Sequence, residues 1–401
     1  MKIFIFTLGC PKNIVDSERI AGTLVSWGHD LASRPEEADL IILNTCAFIS
    51  EAEEEARQYA EKLSKIAPLL MVGCLPYRRR KIQQMIGNAP PGTEGILMAS
   101  RIIFWNPDEG TRLLDGYPYA YLKIAEGCSR RCSFCVIPWI RGRLRSRTTE
   151  AIVEEAGALV ELGKREIILV AQETTQFGRD TGEKLEGLLI ALDRIKGDFW
   201  LRLMYVHPSG MTRSLAATLG SLDHLAPYIH MPVQHLSDRV LRAMDRAGGE
   251  RAVKKALSLV RRYLPKAFVR TEIMVGFPGE TREDFRALVK GIESGLFQRV
   301  AVFPFYREQG SRAWGMKQLG RGTISGRYEE ALDAARALHL RVQKGLVGRD
   351  MRLLVDEPGL ARTGFDAPDV DFSVRVPEKL APGDFCDARI TGIYGEGDLV
   401  V

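Results

Sequence analysis

The sequence predicts an α/β protein of three parts, and three observations support this prediction. Strand-like and helix-like segments alternate along residues 1–115, which indicates an open parallel α/β domain. Apolar runs recur about 30 residues apart within residues 116–336, which indicates a partial β/α barrel. Short strand-like runs separated by Gly, Pro and Asp fill residues 337–401, which indicates a small all-β barrel.

The first domain begins with strands and helices in alternation. Three apolar runs predict strands, over residues 2–8, 38–45 and 69–73. Helical periodicity marks residues 17–27, for which Asp16 is the predicted N-cap. It also marks residues 50–66, where Ser50 and Glu53 match a capping box. Strands connected through helices pair in parallel, so this order predicts a parallel sheet.

A cysteine follows each of these three predicted strands, namely Cys10, Cys46 and Cys74. Ligands of open parallel sheets lie beyond the carboxyl ends of the strands, which meet at one edge. We therefore expect the three thiols to converge there as a three-ligand metal site. The alternative is that they are three unrelated small residues of the core.

A second set of three cysteines lies in the stretch GCSRRCSFC, as Cys128, Cys132 and Cys135. Three thiolates at this spacing can hold three irons of a cubane cluster and leave the fourth iron without a protein ligand. Clusters that only carry electrons use four cysteines, and structural zinc also takes four ligands. S-adenosylmethionine can bind the open iron through its amino and carboxylate groups, while Phe134 shields the cluster from water. The alternatives are ordinary loop cysteines or a zinc site completed by a distant histidine.

Cysteine usage and hydropathy indicate the compartment. The chain has seven cysteines, an odd number, and its first apolar run is too short for a secretory leader. These features argue against a disulfide framework and for a reducing, cytoplasmic location. No run of 18 or more apolar residues predicts a membrane span.

The middle of the chain predicts a barrel whose active site lies at the strand C-termini. The apolar runs cover residues 166–172, 199–206, 228–234, 268–278 and 299–306, and helical patterns cover residues 149–162 and 254–263. Several polar residues and glycines follow these strands and are expected at the rim: Gln172, Glu173, His207, Gln234, His235 and residues 276–280. For the two histidines, a hydrogen-bonded structural role is favoured over metal binding.

Arginines are concentrated around the second cysteine set: Arg130, Arg131, Arg141, Arg143, Arg145 and Arg147. Their positive charge could neutralise an anionic cluster and meet an acidic group of the substrate. The alternative is a solvated basic loop.

The motifs together resemble the methylthiotransferases of the radical-SAM superfamily. The resemblance is carried by TLGCPKNIVDSE (7–18), LNTCAFISEAEEEA (43–56), the stretch around the second cysteine set (123–147) and FVRTEIMVGFPGETREDF (268–285), and it extends over essentially the whole chain. It implies two 4Fe-4S clusters, one on each cysteine set, and an S-adenosylmethionine pocket that includes Gln172, Glu173, Gly276 and Gly279. It implies no catalytic acid–base residue, because the radical chemistry belongs to the cofactors.

The resemblance also implies a substrate and partners. Among such enzymes the segments look most like those that modify the β-carbon of an aspartate on the small-subunit ribosomal protein number twelve. The implied partners are this basic ribosomal protein and an electron donor of flavodoxin or ferredoxin type. An enzyme of the same chemistry that acts on a modified adenosine of tRNA is the nearest alternative. A two-cluster electron carrier and a zinc-dependent RNA-binding protein are the others.

The tail from about residue 347 looks like a five-stranded barrel of the TRAM type, whose members commonly bind RNA. Its strand-like runs are residues 351–357, 372–378, 385–394 and 398–401. It holds eleven acidic and six basic side chains, a net charge of −5, whereas residues 1–346 carry +10. Phosphate binding needs clustered positive charge, so an acidic barrel favours a basic protein partner over tRNA.

Overall fold

A computed structural model describes residues 1–78, 83–105, 110–395 and 397–401. It confirms the α/β class, with one sheet in each of the three predicted parts and a short two-stranded ribbon. Along these described ranges, none of the helices combines the length and the apolar character that crossing a membrane requires.

The N-terminal sheet has the strand order β2-β1-β3-β4-β5, in which only β5 is antiparallel to its neighbour. Its strands are β1 (Lys2–Thr7), β2 (Asp30–Leu31), β3 (Leu40–Thr45), β4 (Leu69–Gly73) and β5 (Gln84–Ile86). The helices are α1 (Pro11–Ser26), α2 (Ser50–Leu63), α3 (Cys74–Arg78) and α4 (Thr93–Trp105). Strands β3 and β4 are buried along their whole length between apolar clusters, which confirms the predicted parallel core.

The predicted start of the first helix is wrong. Helix α1 begins at Pro11 with Cys10 as its N-cap, because proline at the first helical position needs no hydrogen-bonded N–H. Asp16 is therefore inside the helix, fully buried, and its carboxylate pairs with Lys123 and Arg141. Asp16, which the sequence pattern predicts as a helix cap, is therefore a buried ion-pair partner in the fold.

The predicted capping box of the second helix is also wrong. The N-cap of α2 is Ile49, and the backbone N–H and hydroxyl of Ser50 donate to Glu308 at 2.8 and 3.1 Å. Glu53 instead pairs with Arg57. Glu308 comes from beyond the last barrel strand, so a residue far along the chain takes over the local capping role.

The central sheet is a half-barrel of six parallel strands in chain order. These are β6 (Tyr119–Lys123), β9 (Glu166–Val170), β10 (Trp200–Leu203), β11 (Leu225–His230), β12 (Phe268–Val275) and β13 (Arg299–Pro304). The five predicted runs are confirmed, whereas β6 was not predicted. Strands β7 (Ala125–Glu126) and β8 (Arg145–Ser146) pair antiparallel and close the loop that carries the second cysteine set.

Eight helices among the described residues follow the second cysteine set or connect the later strands. They are α5 (Ile137–Ile140), α6 (Thr149–Glu161), α7 (Leu185–Asp193), α8 (Arg213–Leu219), α9 (Asp238–Ala243), α10 (Gly249–Tyr263), α11 (Arg282–Glu293) and α12 (Arg321–Lys344). The predicted helices over residues 149–162 and 254–263 correspond to α6 and α10. The expected domain boundary between residues 336 and 337 falls inside α12, which packs against β13.

The C-terminal sheet has six strands in the order β17-β14-β15-β16-β19-β18. They are β14 (Asp350–Glu357), β15 (Leu360–Thr363), β16 (Val374–Arg375), β17 (Phe385–Arg389), β18 (Gly392–Tyr394) and β19 (Asp398–Val400). Strand β15 was not predicted, and the predicted run over residues 385–394 is divided into β17 and β18. The sheet therefore has one strand more than expected.

Two acidic side chains in the segment between β15 and β16 face the half-barrel. Asp366 accepts hydrogen bonds from Arg299 at 2.7 and 3.0 Å. Asp371 accepts from Tyr228 at 2.7 Å and from Arg270 at 3.2 Å. The small domain is thus joined to the barrel strands by buried charged contacts.

These contacts change the interpretation of the net charge of −5 that residues 347–401 carry. Asp356, Asp366 and Asp371 pair with arginines at buried positions. Among the residues of this domain that the structure describes, the exposed acidic side chains are Asp350, Glu357, Asp369, Glu378, Asp384 and Asp387, and the exposed basic ones are Arg349, Arg352, Arg375, Lys379 and Arg389. The six exposed acidic side chains nearly balance the five exposed basic ones. The charge of the tail therefore does not by itself select a basic partner.

The pair Arg299–Asp366 should contribute strongly to stability, because both side chains are only 1% exposed. We expect Arg299→Met to lower the free energy of unfolding by about 3–5 kcal/mol, since it leaves a buried carboxylate without its cation. The matched control is Arg336→Met, which removes a largely exposed pair with Asp333 and should cost less than about 1 kcal/mol. Urea unfolding of both variants measures the difference, and equal losses would contradict the structural role of the pair.

Candidate functional site

The first three cysteines follow β1, β3 and β4 at the same edge of the N-terminal sheet. Gly9 and Gly73 precede two of them with positive φ angles of 97° and 84°. A Cβ on Gly9 would lie 2.7 Å from the Cβ of Cys46, and one on Gly73 would lie 2.7 Å from the carbonyl oxygen of Thr45. Only glycine allows this close approach of the strand ends, so these glycines bring the cysteine loops together.

The thiols of this set lie within electrostatic reach of one another. Burial, with the neighbouring Cys74 and Cys10, raises the pKa of Cys46 to about 12. Burial also raises the pKa of Cys74, an effect that the guanidinium of Arg141 opposes. Three thiolates this close repel one another, and positive metal centres would relieve that repulsion. The three cysteines thus lie near one another at this edge of the sheet, and their role as metal ligands stays a prediction.

The second cysteine set lies in the loop between β7 and β8. Within this loop, buried Ser133 donates from its N–H and its hydroxyl to the carbonyls of Met244 and Ala243, both at 2.9 Å. Its own carbonyl accepts from the N–H of Ala313 at 2.7 Å. The backbone between Cys132 and Cys135 is therefore held between the end of α9 and the segment that follows β13.

The sulfurs of this set receive hydrogen bonds from other elements. Gln176 Nε2 donates to Cys128 Sγ at 3.3 Å, and Arg246 Nη1 donates to Cys132 Sγ at 3.5 Å. Burial and the adjacent Cys132 raise the pKa of Cys135 to about 12. Donors directed at sulfur stabilise the thiolate form that binds iron.

Within the described residues, no three His, Cys, Asp or Glu side chains converge tightly enough to hold a single metal ion. A mononuclear zinc would need its ligands at about 2.0–2.3 Å from one centre. In a cubane cluster each cysteine binds a different iron, so the thiols surround the cluster instead of meeting at one point. A cluster therefore does not require its three cysteines to meet at one point.

Gln172 and Glu173 follow β9, at the rim predicted for them. Gln172 Nε2 donates to Glu126, which directly precedes Gly127 and Cys128. Glu173 accepts from Arg130 Nε at 2.9 Å and from the N–H of Thr175 at 2.7 Å. Both side chains thus border the second cysteine loop, and their binding of S-adenosylmethionine stays a prediction.

Gly276 and Gly279 follow β12, and each has a positive φ angle, of 77° and 81°. A Cβ on Gly276 would lie 2.8 Å from Ile324 of α12, so helix packing requires this glycine. At Gly279 the nearest atom to such a Cβ is 3.9 Å away, on Arg239. Only Gly279 leaves open space for a ligand at its Cα, and the roles of both glycines in cofactor binding stay predictions.

Each of the two rim histidines uses one ring nitrogen, Nδ1, in a structural hydrogen bond to the backbone. Nδ1 of His207 accepts from the N–H of Ser209 at 3.2 Å, and Nδ1 of His235 accepts from the N–H of Ser237 at 2.9 Å. Burial, together with nearby Arg246 and Arg130, lowers the pKa of His207 far below its usual range. We therefore assign the neutral ring of His207 with its proton on Nε2, as a donor.

Several buried polar atoms at this rim have no hydrogen-bond partner among the described residues. They are Nη2 of Arg130, Oε1 of Gln172 and Nε2 of His207. Buried polar groups are normally satisfied, so these atoms indicate a polar ligand beside the second cysteine set. S-adenosylmethionine, which carries an amino group, a carboxylate and a nucleoside, has groups that fit this donor and acceptor set.

The basic stretch divides into several roles. Arg141 reaches the first cysteine set, Arg130 pairs with Glu173, and Arg147 pairs with Glu155. Arg131 and Arg143 are exposed. The stretch therefore does not act as one unit, because its members face different partners, and its role in neutralising a cluster stays a prediction.

Sequence reasoning missed several residues that contact the cysteines or their loops. Asn13 and Gln176 lie inside the sequence motifs described above. Asn13 is close to Cys10 in the sequence and Gln176 is close to Gln172, so both could have been proposed as site residues. Arg246 gave no signal, because only the turn after α9 brings it to Cys132.

Comparison with protein families matches each part of the chain. Residues 122–292 match the radical SAM superfamily, residues 2–91 match the uncharacterized protein family UPF0004, and residues 347–400 match the TRAM domain. The three matched segments correspond to the half-barrel, the N-terminal sheet and the C-terminal sheet.

Similar proteins span essentially the whole chain. The ribosomal protein uS12 methylthiotransferase RimO of Akkermansia muciniphila is 35% identical, over 98% of this chain and 97% of its own. The protein of the same name from Opitutus terrae is 36% identical, over 100% and 96%. That of Thermotoga maritima is 37% identical, over 97% of each chain.

Solved structures support the fold. The radical S-adenosylmethionine methyltransferase TsrM from Kitasatospora setae, with cobalamin and a [4Fe-4S] cluster bound, aligns with a TM-score of 0.54. The alignment covers 92% of this chain and 82% of TsrM at 14% identity. At that identity the similarity concerns the fold alone.

Proposed function

This chain belongs to the RimO family of ribosomal protein uS12 methylthiotransferases, and we propose that it places a methylthio group on the β-carbon of an aspartate of uS12. It is a transferase of the radical SAM type, with iron–sulfur clusters and S-adenosylmethionine as its cofactors. The observation that carries the proposal is the presence of two separate sets of three cysteines, each of which has a sulfur that accepts a hydrogen bond from an arginine side chain.

We assign each cysteine set a cluster and each domain a role. Residues 1–115 would hold an auxiliary 4Fe-4S cluster on Cys10, Cys46 and Cys74. Residues 116–336 would hold the S-adenosylmethionine-binding cluster on Cys128, Cys132 and Cys135. Residues 337–401 would form the TRAM domain. Support comes from the family matches, whose ranges fall inside these three segments.

When bound, these groups supply one-electron reduction, hydrogen abstraction from an unactivated carbon, and the sulfur and methyl to be transferred. The chain's own residues position and shield them. Phe134 packs on the barrel core between Cys132 and Cys135 and limits access of water. Gln176 and Arg246 direct donors at two sulfurs, which stabilises their anionic form.

The pocket for S-adenosylmethionine is proposed at Gln172, Glu173, Gly276 and Gly279. The unpaired Oε1 of Gln172 is an acceptor suited to an ammonium group. The unpaired Nη2 of Arg130, which Glu173 holds in position, is a donor suited to a carboxylate. These groups lie beside Cys128, where a ligand of the open iron is expected to bind.

The partners follow from this chemistry. The substrate is the basic small-subunit protein uS12, and a flavodoxin or ferredoxin type donor would supply the electron, in the cytoplasm. The tRNA-modifying alternative is not favoured, because the full-length relatives are named for uS12. The charge of the tail, which first favoured a protein, carries no weight here because the exposed charge is nearly balanced.

Deleting the gene tests the substrate. We expect uS12 from the deletion strain to lose the mass of one methylthio group, and a plasmid copy of the wild-type chain to restore it. Mass spectrometry of the ribosomal proteins and of tRNA hydrolysates measures both candidates in the same cells. Complementation with the Cys128→Ala variant is the matched control and should restore nothing. Loss of methylthio-adenosine from tRNA with unchanged uS12 would overturn the proposal in favour of the tRNA enzyme.

A further inference from the structure

Arg141 connects the two cysteine sites. It follows α5, six residues after Cys135, and its side chain is buried. Its guanidinium donates from Nε to Cys74 Sγ at 3.3 Å, from Nη2 to Asn13 Oδ1 at 2.7 Å and from Nη1 to Asp16 Oδ2 at 3.2 Å. The planar fork of arginine can serve three acceptors at once. A residue of the second cysteine loop therefore contacts the first cysteine set.

Asn13 extends this contact to the other two loops of the first set. Its Nδ2 donates to the carbonyl oxygen of Leu8 at 2.8 Å and to that of Thr45 at 3.0 Å. Leu8 is two residues before Cys10, and Thr45 is directly before Cys46. Arg141 is thus linked to all three loops, directly at Cys74 and through Asn13 at the others.

A buried ion-pair network continues from Arg141 to the second cysteine set. The carboxylate of Asp16 also pairs with Lys123, and Lys123 Nζ contacts Glu126 Oε2 at 3.0 Å. Glu126 Oε1 in turn accepts from the N–H of Gly127 at 3.1 Å, next to Cys128. Two cations and two carboxylates balance within the network, and a buried network of this kind is stable only when complete.

We propose that Arg141 is a positioning residue of the auxiliary cluster, which it holds at a fixed place relative to the second cluster and whose reduction potential it raises. The inference rests on the proposed cluster at Cys10, Cys46 and Cys74. A hydrogen bond to a ligating sulfur stabilises the reduced cluster, because the reduced cluster carries more negative charge. Removing this hydrogen bond therefore shifts the reduction potential to more negative values. Losing an outer partner of a metal ligand also weakens retention of the metal.

The test uses a chain that retains only the auxiliary cluster, with Cys128, Cys132 and Cys135 replaced by alanine. Into it we introduce Arg141→Gln, Arg141→Lys or the control Arg143→Gln, which alters an exposed arginine two residues away. We expect R141Q to shift the midpoint potential to more negative values and to release iron to a chelator about tenfold faster or more. R141K should lie between, since its ammonium keeps the charge but has one nitrogen in place of the three that contact Cys74, Asn13 and Asp16. R143Q should match its parent.

The readouts separate the two claims. A parent chain without iron at the first cysteine set would overturn the proposed function and this inference with it. A loaded parent whose potential and iron release are unchanged by R141Q would overturn only the role of Arg141. If R141Q does not fold by circular dichroism, R141K decides, and parent-like values in R141K then overturn the inference. In the chain with both cysteine sets intact, R141Q should form more 5′-deoxyadenosine per methylthio product than R143Q does.

Discussion

Replacing Cys128, Cys132 and Cys135 with alanine is expected to reduce the iron content from about eight to about four per chain, because one of two four-iron clusters is lost. The same variant should lose all reductive cleavage of S-adenosylmethionine. Its auxiliary set is untouched, since Cys10, Cys46 and Cys74 lie at the edge of another sheet. Iron and sulfide analysis after anaerobic reconstitution, with chromatography of 5′-deoxyadenosine, measures both effects.

A matched control for this variant is Cys386→Ala. Cys386 is a half-buried cysteine on β17 of the C-terminal sheet, away from both sets. It should keep about eight irons and full cleavage activity. If the triple variant still forms 5′-deoxyadenosine at the wild-type rate, the assignment of the second cysteine set is wrong.

Replacing Cys10, Cys46 and Cys74 with alanine is expected to separate two activities. Production of 5′-deoxyadenosine should persist, because the second set keeps its sulfur donors Gln176 and Arg246. Methylthio product should fall below detection, because the site that carries sulfur is lost. Both products are quantified in one reaction with uS12, S-adenosylmethionine and a reductant.

Loss of the auxiliary set could also disturb folding, so circular dichroism accompanies this assay. Each thiol is replaced by a smaller side chain at a strand end, where Gly9 and Gly73 already allow close packing. We therefore expect a folded protein with about four irons. A folded triple variant that makes methylthio product at a near wild-type rate would show that these cysteines are only structural.

The position of the first cysteine set could be predicted because it depends on local patterns. Apolar runs locate β1, β3 and β4, and parallel pairing brings their carboxyl ends to one edge. Cys46 and Cys74 follow directly after their strands, so small errors in strand bounds did not move them.

Roles that depend on distant partners could not be predicted. Asp16 matched an N-cap, but it pairs with Lys123, more than a hundred residues away in the chain. Ser50 matched a capping box, but its donors go to Glu308. A local pattern shows which hydrogen bonds a residue could make nearby, whereas the fold decides which partner is closest.

The net charge of the C-terminal tail was also misleading when taken from the sequence alone. Its net charge of −5 is correct as a count, yet Asp366 and Asp371 face arginines inside the molecule. Substituting these carboxylates to test substrate binding would therefore disturb the domain junction. A count of charges cannot distinguish a surface carboxylate from one that is paired with a buried arginine.

The most direct test of the account is tandem mass spectrometry of purified uS12 after reaction with the reconstituted two-cluster enzyme, S-adenosylmethionine and reductant. The account predicts the added methylthio group on one aspartate side chain, at its β-carbon, with 5′-deoxyadenosine formed in the same reaction. Unmodified uS12, in a reaction where tRNA from the same cells gains the methylthio group, would contradict it.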